Sequence, residues 1–409
     1  MVTPPGSSAQ SAFAALFKQL RDESGLSYRE LERPTLATRG WISNVASGAR
    51  WPDRSWTKRA DSALKAGGHL VSVWDRGNME RDVEKRTRSL LRVSVKDSEE
   101  IFAATAPDAA DVDTLGESVA SLSVAYLSSP AAPMLDQGLQ LRREVVRRIR
   151  EGAARPHEVK ELYLAAGRAS GVLSYAALDL GDPDAARTHV HTAWRLADVA
   201  NDDELKAWVR GTESLIARFQ KDYRRAALLI QDGLKYAGPG TSTVRLLCGA
   251  AQCAANIDDS ASAQRLLDEA LTARDAATPD TVKGLFAFSY AKQRYYGGSS
   301  LMWLADHTAL RRAEHDSDEA LELWKHEGEQ FRSLDDEALA HVYIATARVK
   351  LGEVEGAMDA VRPIIELPTE RQISWIRKRV AELALLLDDD RFEHSTVAAD
   401  AREELQAAG

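Results

Sequence analysis

Few side chains in this 409-residue sequence stand at spacings that could do covalent or metal chemistry. His189 and His191 lie two apart in a helical pattern, about 200° around the axis from one another, so they cannot share one ion. Cys248 and Cys253 are five apart in another helical stretch. That spacing makes neither a C-x-x-C metal pattern nor a disulfide framework, and both read as core thiols. No H-E-x-x-H, G-x-S-x-G, G-x-x-x-x-G-K-[ST] or G-x-G-x-x-G run occurs. No catalytic residue, metal or cofactor is expected, and the chain reads as a non-enzyme.

The residues that do suggest chemistry lie in "TRGWISNVASGARWP", residues 38–52. Thr38 has the type of an N-cap and Gly48 that of a C-terminal stop, which bounds a short helix ending near Ala46. At 100° per residue, Thr38, Ile42, Val45 and Ala46 gather on one side. Gly40, Ser43, Asn44 and Ser47 take the other, with Arg39 at the exposed start. Arg39 offers a fork of donors that matches guanine O6 and N7, and Asn44 a donor and acceptor that match adenine N6 and N7. Gly40 reads no base but leaves the backbone open to close approach.

The flanking residues position this helix. Phe13, Leu16, Phe17 and Leu20 follow the i, i+3, i+4, i+7 spacing of one helical face, closed by Ser24-Gly25. Ser27-x-x-Glu30 is a capping box with Leu26 and Leu31 as its staple, so a second helix starts at 28 and Pro34 cuts it short. A fourth helix carries Ala60, Ala63 and Leu64, and "HLVSVW" supplies a fifth apolar segment. The net charge is −9, yet residues 27–59 hold seven basic residues against three acidic ones. Positive charge surrounds the very helix whose outer face is polar, which suits a polyanion.

Two short helices joined by a tight turn, the second polar outward, have the geometry that enters a DNA major groove. Residues 13–75 resemble the helix-turn-helix of Cro and phage repressor-type regulators, and "LSYRELERPTLATRGWISNVASGARWP" is similar to its actinobacterial version. The resemblance implies that Arg39, Gly40 and Asn44 face base edges, with Thr38 at the helix start. It also implies that Ser27, Tyr28, Ser43, Ser47, Arg50 and Trp51 touch phosphates and fix register. Two departures predict a distorted turn: Leu36 where the family usually has Gly, and Glu32 where a small apolar residue packs. Trp41, on the flank, reads as a packing residue.

Beyond this head, residues 1–12 read as a disordered N-terminus, 13–77 as the head, and 78–111 as a linker, charged at first and then "ATAPDAADVD". Residues 112–409 read as a helical array. A first pair spans Val112–Ser128 and Met134–Glu151, and regular repeats begin near 155. "LGDPDAA", "QKDYRRAA", "NIDDSASA" and "KLGEVEGA" each show a helix end, a turn with an acidic residue, and then a small residue. Those small residues are Ala186, Ala226, Ala263 and Ala357, with Ala313 in a longer unit. A period near 40 is the mark of a helical solenoid.

The array resembles tetratricopeptide repeats of unusual length, and "SYAKQRYYGGSSLMWLADHTALRRAE" is similar to a segment of actinobacterial regulators with the same head. The phase places Arg168, Tyr175, Trp208, Arg218, Arg245, Gln252 and Asn256 toward the concave groove, with Tyr290 and Arg294 following. Arginine, aromatic and amide groups suit a peptide or a small effector. The expected fold is all-α: a small five-helix helix-turn-helix domain, then a tetratricopeptide-like solenoid. The expected role is a cytoplasmic, homodimeric regulator that binds operator DNA and senses a ligand or dimerises through the array. No run approaches the roughly 18 apolar residues of a membrane span. The alternative is a repeat scaffold for protein partners with a vestigial or docking head.

Overall fold

A computed structural model describes residues 8–103, 113–151 and 156–408. Every regular element in them is a helix, and the chain divides into two compact units, Met1–Leu90 and Leu91–Gly409.

The head is built from α1 (Ser8–Ser24), α2 (Tyr28–Thr35), α3 (Arg39–Ala46), α4 (Arg54–Ala63) and the first turns of α5 (His69–Ala103). Phe13, Phe17, Leu31, Ile42, Val45, Trp56 and Leu70 meet in one apolar core. The ends are chemically fixed. The Ser27 hydroxyl accepts from the Glu30 amide at 3.3 Å while the Glu30 carboxylate accepts from the Ser27 amide at 2.8 Å, completing the capping box. Asp53 caps α4 through the Trp56 amide at 2.7 Å, and Asp61 accepts from the Gly68 and Leu70 amides at 2.8 and 2.9 Å to start α5. Pro34 lies in the last turn of α2, which ends one residue later.

Two boundaries differ from expectation. Residues 8–12, expected to be disordered, already belong to α1; residues 1–7 lie outside the described residues. Residues 78–103, expected as linker, are helical throughout as the body of α5, and the "ATAPDAADVD" joint falls largely outside the described residues. The helix was hidden because its buried stripe is mostly polar: Leu91, Ser94, Asp97, Ser98 and Ile101 recur at helical spacing and are all buried. The polar members are satisfied within the array. Asp97 accepts from Arg142 at 2.8 Å, and Ser98 meets His189 Nδ1 at 2.5 Å, with Ser94 on the other ring nitrogen.

The array continues through α6 (Asp113–Ala125), α7 (Ala131–Glu151), α8 (Pro156–Asp179), α9 (Pro183–Val199), α10 (Asp203–Phe219), α11 (Tyr223–Gly233) and α12 (Ser242–Asn256). Next come α13 (Ser260–Ala276), α14 (Tyr290–Leu301), α15 (His307–His326), α16 (Leu334–Leu351), α17 (Val354–Ile365), α18 (Ser374–Leu386) and α19 (Thr396–Ala408). From α8 onward, consecutive helices pack as pairs and each pair packs on the next, giving a helical-repeat domain. Ala186, Ala226, Ala263, Ala313 and Ala357 are all fully buried, at the crossings where a larger side chain would force the helices apart. Three of the four acidic turns, and Asp306 before α15, supply capping side chains, whereas Glu353 of "KLGEVEGA" caps no amide and pairs with Arg311. Asp182, Asp222, Asp259 and Asp306 each accept from an amide of the following helix at 2.7–3.0 Å.

The array also closes on itself. Ser374, starting α18, donates to the Leu178 carbonyl at 2.7 Å, and Lys378 donates to the Phe219 carbonyl at 2.6 Å. The Leu334 amide, at the start of α16, donates to the Leu127 carbonyl at 2.9 Å. A groove along α8, α10, α12 and α14 thereby becomes a cavity bounded also by α16 and α18. Among the described residues no helix is long and apolar enough to cross a membrane, and no group of three His, Cys, Asp or Glu side chains could hold a metal ion. Cys248 and Cys253 are buried free thiols, and burial pushes the Cys248 thiol up to about 12.

Candidate functional site

In the head, Ile42, Val45 and Ala46 hold α3 against the core, so its opposite side faces outward. Arg39, Gly40, Ser43, Asn44 and Ser47 are exposed. Among the described residues neither the Arg39 guanidinium nor the Asn44 amide has a partner, although the Asn44 carbonyl accepts from the Ala49 and Arg50 amides at 2.8 and 3.0 Å. A methyl group added at Gly40 would meet open space, and its backbone does not need glycine. The head itself therefore gives no reason for glycine there.

The turn before α3 is not distorted. Leu36 takes the left-handed conformation, φ 55° and ψ 42°, that glycine would adopt without cost, and its side chain is 76% exposed. The Glu32 carboxylate accepts from the Arg39 amide at 2.6 Å, satisfying an orphan N–H at the start of α3, while Thr38 accepts from the Trp41 amide at 3.4 Å.

The other expected contact residues are more committed. The Ser27 hydroxyl serves the capping box, and the Tyr28 ring lies under the Arg21 guanidinium at 4.5 Å. Arg50 is exposed, 5.9 Å from the Trp41 ring. Trp41 packs on Trp56 with centroids 4.7 Å apart. Trp51 is placed away from the role expected of it: its ring sits between Phe13 at 5.3 Å and Trp74 at 6.2 Å, and its buried indole N–H finds no acceptor among the described residues.

Residues 12–74 match the family model of a helix-turn-helix domain. No curated protein matches the chain. The helix-turn-helix match thus covers the head, with α3 as its second, outward-facing helix and Arg39 and Asn44 exposed on it.

The repeat domain holds a cavity of about 870 Å³, its open mouth included. Four residues expected in the groove line it: Tyr175, Arg218, Gln252 and Asn256. Arg245 lies behind the wall, donating to the Trp208 carbonyl at 2.6 Å, Thr212 at 2.9 Å and Tyr175 at 3.1 Å. Arg168 and Trp208 line a separate cleft with Glu204 and residues 278–282. Tyr290 and Arg294 do not reach the cavity. Arg294 pairs with Asp316 at 2.5 Å and Glu319 at 2.6 Å, and the Tyr290 hydroxyl lies 3.4 Å from Glu319.

Residues that the phase did not single out complete the cavity. From α14 come Lys292, Tyr295 and Tyr296 in place of Tyr290 and Arg294. The segment 277–289, with its 3₁₀ turn Gly284–Phe286, resets the register before α14, so a phase carried over from α12 misses. Tyr126, Asp179, Asp335 and Asp336 form an acidic end. Burial, with Asp335 nearby, holds Asp179 well above the usual carboxylate range, and the Tyr126 hydroxyl donates to it. Burial likewise pushes Asp335 up to about 6 against Arg371 at 3.1 Å. Burial opposes the charge of Lys292, but Asp336 at 2.9 Å more than offsets it and the ammonium sits above its ordinary value. Tyr295 and Tyr343 share a hydrogen bond at 3.0 Å.

Proposed function

We propose that this protein is a sequence-specific DNA-binding transcriptional regulator, not an enzyme, whose tetratricopeptide-like repeat domain receives a signal. The observation that carries the reading is the outer face of α3. It sits in a helix-turn-helix domain and presents Arg39 and Asn44 free of side-chain partners among the described residues. Polar groups poised in this way match the bidentate demands of base edges, and the basic residues around them supply the sequence-independent attraction to phosphate. Sites for such heads come as half-sites about 34–36 Å apart, so we infer a homodimer on operator DNA in the cytoplasm. The cavity supports a ligand-sensing role for the array, because its mixed aromatic and polar walls are of the kind that line small-molecule sites. An effector acts there by binding two arrangements of the protein unequally.

The test is to sequence the fragments that the full chain retains from sheared genomic DNA. The reading expects a shared short sequence, often duplicated at one-turn spacing. Retention without any shared sequence, or none at all, would leave the head as a docking module for a repeat scaffold.

A further inference from the structure

We propose that the repeat-domain cavity is an anion site, taking a small molecule with an aromatic or apolar body and a single carboxylate, the carboxylate seated on Arg218. The proposal rests on the ligand-sensing reading above and names the chemistry of the ligand.

Arg218, on α10, lines the cavity and is only 7% exposed. Its Nε meets no acceptor, and among the described residues no carboxylate forms an ion pair with it. The Tyr296 phenol hydrogen-bonds to the guanidinium, its ring centroid 5.8 Å away, and Tyr175 and Cys253 lie close by. The other cations lining the cavity are matched. Lys292 has Asp336 at 2.9 Å, and Arg379 has Glu382.

A buried, unpaired charge costs several kcal/mol unless something neutralises it. The two ends of this cavity differ in how they can escape that cost. Asp179 takes up a proton and becomes a neutral acid, and Asp335 has Arg371 at 3.1 Å as its counter-charge. Arginine cannot lose its proton, so the basic end stays charged until an anion arrives. The missing partner is therefore negative. One guanidinium balances one negative charge, which favours a carboxylate over a phosphate dianion, and the fork grips its two oxygens together.

The rest of the ligand follows from the walls. Tyr295, Tyr296, Trp303, Tyr343 and Trp375 offer aromatic faces and edges.

The test uses the full chain and a fixed panel: phenylacetate, 4-hydroxyphenylpropionate, cinnamate and indole-3-acetate, each beside its primary amide, with inorganic phosphate as a further arm. Binding is read by thermal melting and by the fluorescence of Trp303 and Trp375. At least one acid is expected to raise Tm and its amide to fail. Arg218→Gln should weaken that acid about 10- to 100-fold, as for loss of a charged hydrogen bond, yet raise the Tm of the ligand-free chain by about 2 °C. Arg218→Lys, which keeps charge without the fork, should still prefer acid to amide, with lower affinity. Amides binding as well as acids, phosphate binding better than every acid, no panel member binding, or acids binding Arg218→Gln undiminished would each overturn the proposal. DNA affinity measured with the bound acid separates the two readings. If the acid binds through Arg218 but DNA affinity does not move, the anion site stands and the signalling role falls.

Discussion

The head and the array treat polar groups in opposite ways. In the head the core is apolar and aromatic, and the ion pairs lie toward the surface, as Arg54 and Asp75 do at 48% and 41% exposure. The side chains proposed to act, Arg39 and Asn44, stand outside with no partner among the described residues. In the array, charge is taken into the interior and cross-linked. Arg142, completely buried, binds Asp97 and the Ser94 carbonyl, and Lys292 and Arg294 find carboxylates of their own. The lesson is that a surface that binds a large polyanion needs only exposure and positive charge around it. A site that encloses a small ligand must hold desolvated polar groups in place without their own interactions using them up, and Arg218 is the one such cation lining the cavity, among the described residues, with no carboxylate beside it.

The largest effect expected from this contrast is at Asp97. Asp97→Ala leaves Arg142 buried and uncompensated, and burial already draws its pKa down to about 10. The array should lose about 3–5 kcal/mol in denaturant unfolding. A loss under 1 kcal/mol would mean that the pair contributes no more than a surface bridge.

Asp335 offers a pH test. Its folded pKa, raised to about 6, lies above an unfolded value near 3.9, so the folded state holds the proton more tightly. The penalty of its charge is therefore full above about pH 6, fades as pH falls, and is gone below about pH 4. Asp335→Asn keeps the neutral form at every pH. Going from pH 7 to pH 4, the wild type should gain on the order of 2 kcal/mol relative to the variant, which cancels the titration of other groups. An unchanged difference in unfolding midpoint would contradict the assignment.

The head's expected effects are smaller and of another kind. Leu36→Gly relieves a left-handed leucine and should stabilise the domain by about 1 kcal/mol, seen as a higher midpoint. Gly40→Ala should add about 0.5 kcal/mol while weakening DNA binding, because the added methyl meets nothing in the head but stands where DNA would approach. Destabilisation by either change would show that these positions serve the fold.

The same contrast explains what could be read from the sequence. The head's short helices carry their signals locally: the Ser27 and Thr38 caps, the Ile42 and Val45 stripe, and the polar face between them. The repeat phase was legible through one requirement, the small residue at each crossing, which the five fully buried alanines meet. Buried polar side chains misled, because a core stripe made of Ser94, Asp97 and Ser98 has the composition of a solvated one. Closure of the array by Ser374 on Leu178 joins residues far apart in the chain, and no local pattern announces it. Asp179, Asp335 and Tyr126 were missed for that reason.

The most direct test of the central claim is a competition assay with the full chain on its selected DNA site, against duplexes altered one base pair at a time. For Arg39→Ala and Asn44→Ala, the account predicts that each loses about 1–3 kcal/mol of discrimination at its own base pairs, with binding to unrelated DNA little changed for Asn44→Ala. If both variants discriminate as the wild type does, the outer face of α3 does not read DNA and the account fails.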